Sequence, residues 1–240
     1  MSATKPPGAG SLVSPETRAR VRKLGEPVAL LLGRLGFTPN GLTLIGFAIT
    51  VVGGILLALQ VWLLGGLVVF VGGVFDLFDG TLARATGRVG RLGAFMDSVF
   101  DRWGEAIVYL GIAWGGVLAG ADTVAVLAAA AMGAAFMVSY TRAKSEGLGF
   151  TAGSRMAAVG VMPREVRLVI LSVSLVVAGL LGMSPAQIAP CGNLFCVEGL
   201  WRSGAGVLEL ALAIIAVGAT ITVIQRIIHV MQQAVPSDGK

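Results

Sequence analysis

The stretch DLFDGTLARATGRVGRLGAFMDSVFD, residues 76–101, decides the fold and the chemistry of this chain. It lies between two apolar runs, residues 61–75 and residues 106–118. Each run extends as a helix of the kind that crosses a bilayer, so the polar stretch predicts the connection between two membrane helices.

Four aspartates in this stretch are spaced so that they converge. Asp76 and Asp79 are three positions apart, which places both on one face of a helix. Asp97 and Asp101 are four apart, and Glu105 continues their face. Ionised carboxylates in one cleft repel each other and are costly beside a bilayer, so they need cations. Ligation by carboxylates alone suits a hard ion, Mg²⁺, Mn²⁺ or Ca²⁺, and cellular abundance favours Mg²⁺.

The same connection has residues suited to phosphate. Glycines allow a close backbone approach, and arginines present paired donors that match phosphate oxygens. These residues are Gly80, Gly87, Gly90 and Gly93, with Arg84, Arg88 and Arg91. The alternative is a solvated loop with helix-capping acids and arginines that follow the positive-inside rule, which explains one or two of the acids. The whole set favours metal-assisted phosphoryl transfer, in which one carboxylate takes a proton from an incoming hydroxyl.

Composition places the chain in a membrane. Of its 240 residues 55% are hydrophobic, and the mean hydropathy is +0.86, values typical of an integral membrane protein. The net charge of +5 resides in the segments between apolar runs. The positive-inside rule and anionic lipid head groups explain this distribution, so we expect no nucleic-acid partner.

The apolar pattern predicts an all-α integral membrane fold with six transmembrane helices after an N-terminal amphipathic interfacial helix. We expect a disordered segment at 1–14, the juxtamembrane helix at 15–36, a catalytic domain at 37–231 and a polar tail at 232–240. The predicted spans are Leu42–Leu59, Leu63–Arg84, Leu92–Leu118, Thr123–Ser139, Arg164–Leu181 and Ala205–Val223.

Charge asymmetry orients the chain. Of 18 lysines and arginines, Arg202 alone falls in the loops opposite the N-terminus. We therefore expect both termini and the acid-rich connection on the cytoplasmic side of the cell membrane. Cys191 and Cys196 share one loop on the other side, where a disulfide and two free thiols are equally compatible with the sequence. Glu209, in the sixth span, has no evident partner.

The acid-rich stretch resembles the complete signature of the CDP-alcohol phosphatidyltransferase family. The matching pattern is Asp76-x-x-Asp79-Gly80-x-x-Ala83-Arg84, eight residues, then Gly93-x-x-x-Asp97-x-x-x-Asp101. Members transfer a phosphatidyl group from a CDP-linked lipid such as CDP-diacylglycerol to an alcohol, with release of CMP. The resemblance implies that Asp76, Asp79 and Asp97 are metal ligands. It implies that Asp101 is the general base and a ligand of a second ion, and that Gly80, Ala83 and Arg84 hold the CDP moiety.

The resemblance extends along residues 25–230, towards the phosphatidylinositol-phosphate synthase branch. Residues 139–146, 162–168 and 223–226 are similar to segments of that branch, with Arg142 and Lys144 in exchanged order. The resemblance implies that Thr38, Pro39, Asn40 and Gly41 contact the CDP-lipid. It also implies a nucleotide contact at Gly90, where the branch usually has threonine. Family members are usually homodimers, so we expect a homodimer.

Four cations flank the connection between the fourth and fifth spans: Arg142, Lys144, Arg164 and Arg167. They predict a pocket for an anionic acceptor, a phosphorylated polyol, although anchoring to lipid phosphates explains them too. Inositol phosphate is the leading acceptor and glycerol-3-phosphate its rival. One alternative is a membrane prenyltransferase, which also uses pairs of aspartates and Mg²⁺. Its motifs have a different spacing and lack the Gly80-x-x-Ala83-Arg84 continuation. A divalent-cation transporter requires acids near mid-membrane along several helices, whereas these acids cluster at one mouth beside arginines.

Overall fold

The structure is a computed structural model that describes residues 15–150, 159–183 and 203–234. Within these ranges the regular structure is entirely helical. The seven helices are α1 (Pro15–Arg34), α2 (Pro39–Ala58), α3 (Trp62–Ala85), α4 (Arg91–Leu118), α5 (Asp122–Gly147), α6 (Arg164–Leu181) and α7 (Gly204–Ala234). The all-α prediction is confirmed.

Four of these helices, α2, α3, α5 and α7, are long and apolar enough to cross a bilayer. The protein is therefore an all-helical membrane protein, as predicted. The other two long helices of the bundle are more polar because α4 carries the second half of the acidic stretch and α6 has Arg164, Glu165 and Arg167 in its first turn.

Local sequence signals set the helix ends near the acidic stretch. Thr38 caps α2 by accepting a hydrogen bond from the Gly41 amide at 3.1 Å, and Pro39 occupies the first turn. The turn after α3 contains Gly87 at φ 66°, a left-handed conformation that favours glycine. The chain then enters α4 through Gly90, so a short connection joins the two helices that carry the aspartates.

Helix α2 packs against both α3 and α4 through glycines. A Cβ atom on Gly53 would lie 2.7 Å from Val69 Cγ2 of α3, and one on Gly54 would lie 2.7 Å from Ile107 Cγ2 of α4. A Cβ on Gly111 of α4 would collide with the Gly54 carbonyl oxygen. Small residues at these crossings let the backbones approach closely, which brings the two halves of the acidic stretch together.

The remaining helices enclose this trio. Helix α5 packs on α4 and α7, and α6 packs on α3 and α7, around one apolar core. Helix α1 lies across the end of α3, with Ala29 fully buried against a small cluster that contains Leu82. The polar end of α3 is thus held between α1 on one side and α2 on the other.

Most helix ends lie within a few residues of the predicted ones. Helix α1 ends at Arg34, just before the predicted end of the juxtamembrane segment, because Gly36 turns the chain at φ 92°. Helix α7 continues to Ala234, beyond the start of the predicted tail. Segment 1–14, Arg202 and both cysteines lie outside the described residues. Glu209 is partly buried in α7 and makes no hydrogen bond or ion pair within the described ranges.

The glycine crossing gives a first prediction. Gly111→Ala should destabilise the protein by about 1–3 kcal/mol, because the new methyl group meets backbone that cannot rotate away. The measurement is the unfolding temperature of the purified protein in detergent. Gly133→Ala in α5 is the matched control, since no atom lies within 4 Å of a Cβ there. It should be neutral or slightly stabilising, and equal effects of the two substitutions would contradict this packing.

Candidate active site

Three of the four predicted acids form one compact group. Asp76 of α3 and Asp97 and Asp101 of α4 each present a carboxylate oxygen, and these oxygens lie within 4.8 Å of one another. All three side chains are partly buried. Three converging carboxylates are a donor set that fits a hard divalent cation, which would neutralise their repulsion. We call Asp76, Asp97 and Asp101 the carboxylate group.

Asp79 has a different environment. It is 5% exposed, and its Oδ2 accepts a hydrogen bond of 2.6 Å from the Thr43 hydroxyl of α2. Its Oδ1 accepts one from the Gly80 amide. These contacts turn the carboxylate towards α2 and stabilise its charge. Asp79 lies beside the carboxylate group without belonging to its closest set, and its role as a metal ligand stays a prediction.

Two arginines contact the carboxylate group: Arg164 closely, and Arg102 through Nη2 at 3.7 Å from Asp101 Oδ2. As the first residue of α6, Arg164 donates from Nη1 to Asp76 Oδ2 and to Asp101 Oδ2, the latter at 2.9 Å. The structure therefore brings one predicted acceptor-binding arginine to the predicted metal ligands. A charge-assisted pair of this kind is stronger than a neutral hydrogen bond, and it joins three helices.

Arg167, one turn further along α6, is 2% exposed. Its Nε and Nη2 donate to Glu105 Oε1 at 3.0 and 2.8 Å, and its Nη1 donates to the Met162 carbonyl at 3.1 Å. Each of its three nitrogens is thus used within the protein. These contacts give Arg167 a structural role between α4 and α6, and they do not support the prediction that it binds the acceptor phosphate directly.

Glu105 is shared with a second arginine. Arg102 Nη1 donates to Glu105 Oε2 at 2.7 Å and to the Ser139 hydroxyl of α5 at 2.6 Å. Sequence reasoning placed Glu105 on the acidic face of α4, and the structure shows that it neutralises Arg102 and Arg167. Glu105 therefore links α4 to α6 directly, while Arg102 links α4 to α5.

A cavity of about 60 Å³ lies between these groups. Its polar side includes Asp76, Asp101, Glu105 and Arg164, and its other walls are largely apolar. Space of this size holds water beside polar side chains. Tyr109 of α4, almost fully buried, also lines the cavity.

The residues predicted to bind the CDP-lipid flank the carboxylate group on two helices. Thr38, Pro39, Asn40 and Gly41 form the start of α2, where Asn40 Oδ1 would lie 3.2 Å from a Cβ on Gly93 of α4. Gly80, Ala83 and Arg84 occupy the last turns of α3. Gly90 has an extended backbone, φ −139°, with open space around it. Neither conformation nor packing therefore requires glycine at position 90.

Arg142 and Lys144 lie apart from the cavity, exposed at the end of α5. Arg142 pairs with Glu146 at 2.9 Å. Sequence reasoning did not select Arg226 of α7, which is buried and donates to the carbonyls of Val138 and Val159. Its charge lies near those of Arg142 and Arg167. The sequence feature that could have identified Arg226 is its place within the helix that continues the last apolar run.

The hydrogen bond to Asp79 gives a second prediction. Thr43→Val should lower the free energy of unfolding by about 1–3 kcal/mol, since it leaves a buried carboxylate without its side-chain donor. Thermal unfolding measures this loss. Thr50→Val is the matched control, because the Thr50 hydroxyl of the same helix donates only to the Gly46 carbonyl. A loss no larger than that of the control would argue against the importance of the Thr43–Asp79 contact.

The comparisons with known proteins agree with this geometry. Residues 37–224 match the family model of CDP-alcohol phosphatidyltransferases. An archaetidylinositol phosphate synthase of Pyrococcus horikoshii is 38% identical over 157 residues, 65% of this chain and 79% of that protein. A phosphatidylinositol phosphate synthase of Streptomyces avermitilis is 33% identical over 234 residues, 95% of this chain and 86% of that protein.

The fold is also found among solved structures. That of a Mycobacterium tuberculosis phosphatidylinositol phosphate synthase with CDP-DAG bound has a TM-score of 0.69 at 24% identity, over 91% of this chain and 98% of the other. A structure of that enzyme with manganese and citrate gives a TM-score of 0.67 at 24% identity, over 90% and 93%. The chain therefore belongs to the CDP-alcohol phosphatidyltransferase family, is an enzyme of that class, and resembles its phosphatidylinositol-phosphate synthase branch.

Proposed function

We propose that this protein transfers the phosphatidyl group of CDP-diacylglycerol to inositol phosphate, giving phosphatidylinositol phosphate and CMP. The observation that carries the proposal is the contact of Arg164 with two members of the carboxylate group. Through this contact, an arginine that can bind phosphate lies beside acids that can bind a divalent ion. An acceptor with both a hydroxyl and a phosphate fits such a site, because one group faces the acids and the other faces the arginine.

The relatives support the acceptor more than the lipid. The names of the Pyrococcus and Streptomyces enzymes differ in the lipid, archaetidyl or phosphatidyl, and share inositol phosphate. Inositol phosphate is therefore the common element across different lipid tails. The related Mycobacterium tuberculosis enzyme was solved with CDP-DAG, which supports the donor proposed here.

The carboxylate group, with Asp79 beside it, would hold two divalent ions. Carboxylate oxygens suit Mg²⁺, the ion we propose, and Mn²⁺ is the alternative, as in the manganese-containing structure of a relative. When bound, such ions neutralise the diphosphate of the donor and the charge on the departing CMP. The fit rests on three oxygens within 4.8 Å of each other at the end of α3 and the start of α4.

Asp101 is proposed as the general base. It accepts a hydrogen bond from Arg164 at 2.9 Å and lines the polar cavity. An acceptor whose phosphate contacts Arg164 would present a neighbouring hydroxyl to Asp101, which takes its proton as the new phosphate ester bond forms. Arg142 and Lys144 would draw the anionic acceptor towards this mouth of the bundle.

The nucleotide is proposed to lie along the ends of α2 and α3. The small residues Gly80 and Ala83 would let a nucleotide approach the α3 backbone, and Arg84, whose guanidinium lies beside Gly80, would turn to a phosphate. Thr38 to Gly41 lie at the start of α2 on the same side, with Gly90 in the connection. The CDP moiety would thus span the two helices that position Asp76 and Asp79.

We propose six membrane spans, α2 to α7, with both termini and the active site on the cytoplasmic side. The 18 residues of α6 extend about 27 Å, nearly the thickness of the hydrocarbon core. The charged residues of α4 and α6 lie in the N-terminal part of each helix, at the same end of the bundle as the carboxylate group. Helix α1 and the turn after it would rest at the interface, with exposed Leu31 of the helix and Leu35 and Phe37 of the turn towards the lipid. A homodimer remains our proposal from the family resemblance.

The test of this function is acceptor-dependent CMP release by the purified protein with CDP-diacylglycerol and Mg²⁺. Inositol-1-phosphate and glycerol-3-phosphate are offered in parallel. We expect release with inositol phosphate, none in EDTA, and recovery when Mg²⁺ or Mn²⁺ is restored. Release with glycerol phosphate alone would move the protein to phosphatidylglycerol-phosphate synthesis, because Arg164 suits either polyol phosphate. No release with either acceptor would refute the proposal and leave another alcohol as the acceptor of this family member.

Asp101→Asn should abolish CMP release, because the amide cannot accept a proton, while the protein stays folded in the absence of one crowded charge. Turnover is compared with the unfolding temperature of the same preparation. Asp122→Asn, at the first residue of α5, is the matched control and should retain activity. Near-normal turnover of the Asp101 variant would exclude its role as the base.

A further inference from the structure

Two ion pairs connect α4 and α6 at successive helical turns. Asp101 pairs with Arg164 at 2.9 Å, and Glu105 pairs with Arg167 at 2.8 Å. The acids are four residues apart on α4 and the arginines three apart on α6, so each pair lies one turn from the other. The two helices otherwise make little direct contact, and these side chains connect them across the cavity.

The two pairs differ in their surroundings. The Glu105–Arg167 pair is closed off, with side-chain exposures of 11% and 2%, and every Arg167 nitrogen has a protein acceptor. The Asp101–Arg164 pair faces the cleft, with exposures of 15% and 31%. The Arg164 guanidinium donates only to carboxylates among the described residues. The position of the Arg164 side chain therefore depends on Asp76 and Asp101, and these two acids can also bind another cation.

That second partner is the divalent ion. Arg164 Nη1 contacts Asp76 Oδ2 and Asp101 Oδ2, and both carboxylates belong to the group of three within 4.8 Å. The guanidinium and a metal ion thus draw on the same carboxylates, and two cations on shared ligands repel each other. With Asp79, the four carboxylates carry a charge of −4, which two divalent ions neutralise, so the acids then no longer retain Arg164.

We propose that Arg164 exchanges partners, leaving Asp76 and Asp101 when divalent ions bind there and turning to the acceptor phosphate, so that metal and acceptor phosphate bind cooperatively. The inference rests on the proposed function for the identity of the acceptor. The closed Glu105–Arg167 pair holds the start of α6 in register with α4, so the exchange requires only rotation of the Arg164 side chain. Glu105 and Arg167 are positioning residues in this scheme.

The exchange can be measured without enzyme turnover, because it makes the affinity for the metal depend on the acceptor phosphate. If Arg164 competes with the metal, its removal tightens metal binding in the absence of acceptor. If Arg164 also binds the phosphate, the phosphate relieves this competition, and metal and phosphate increase each other's affinity by the same factor. Coupling of this kind is typically between about fivefold and 150-fold.

The experiment measures Mn²⁺ affinity of the full-length protein in detergent from the EPR signal of free Mn²⁺, with and without inositol-1-phosphate. In the unaltered protein we expect the phosphate to tighten Mn²⁺ binding at least about fivefold. Arg164→Gln should bind Mn²⁺ about tenfold more tightly without phosphate. It should also show no further gain with phosphate. Arg164→Lys keeps the charge, so its affinity without phosphate should stay near that of the unaltered protein.

Arg34→Gln controls for the general loss of one positive charge, because Arg34 is exposed at the last position of α1 and lies apart from the cavity. Its Mn²⁺ affinity without phosphate should not change. Elution volume and unfolding temperature verify that each variant is folded. Equal or weaker Mn²⁺ binding by the glutamine variant would overturn the competition, and coupling that persists in that variant would overturn the transfer to phosphate. The CMP assay tests the function separately, since a protein that turns over without this linkage would refute the exchange alone.

Discussion

The structure depends on the need to neutralise five acids at the end of an apolar bundle. Buried carboxylates without partners are strongly destabilising, so each must find a donor or a cation. Four of the five have partners within the protein: Asp79 takes the Thr43 hydroxyl, Glu105 takes two arginines, and Asp76 and Asp101 share Arg164. Asp97, the fifth, converges with Asp76 and Asp101, where a divalent ion would neutralise it. The partners within the protein come from α2, α4 and α6. Charge neutralisation therefore dictates which helices surround α3 and α4 at the polar end of the bundle.

Close helix packing makes this arrangement possible. The acids reach one another only because α3 and α4 both lie against α2, and glycines at Gly53, Gly54 and Gly111 remove the side chains that would separate them. The result is a fixed spacing between the two halves of the signature. Helix α6 then supplies the adjustable part of the site, since Arg164 lies in more open surroundings.

The helices and the convergence of the aspartates could be predicted from sequence, because apolar runs and spacings of three and four residues are local signals. The hydrogen-bond partners of residues far apart in the chain could not be predicted from sequence. The pairing of Arg167 with Glu105 joins residues 62 positions apart, and that of Arg226 with Val138 joins residues 88 apart. Charge alone did not separate Arg164, which contacts the acids, from Arg167, which is enclosed by its own contacts. Nor could spacing show that Asp79 faces Thr43.

The contacts of α7 have a consequence for biosynthesis. The segment that leads into α6 is held by the last helix, because Thr222 accepts a hydrogen bond from the Met162 amide and Arg226 donates to the Val159 carbonyl. Arg164 follows two residues after Met162. Chains fold from the N-terminus as they are synthesised, so the aspartates are inserted long before this support exists. Arg164, the counter-charge of Asp76, thus becomes fixed in the nascent enzyme only after the final helix has left the ribosome.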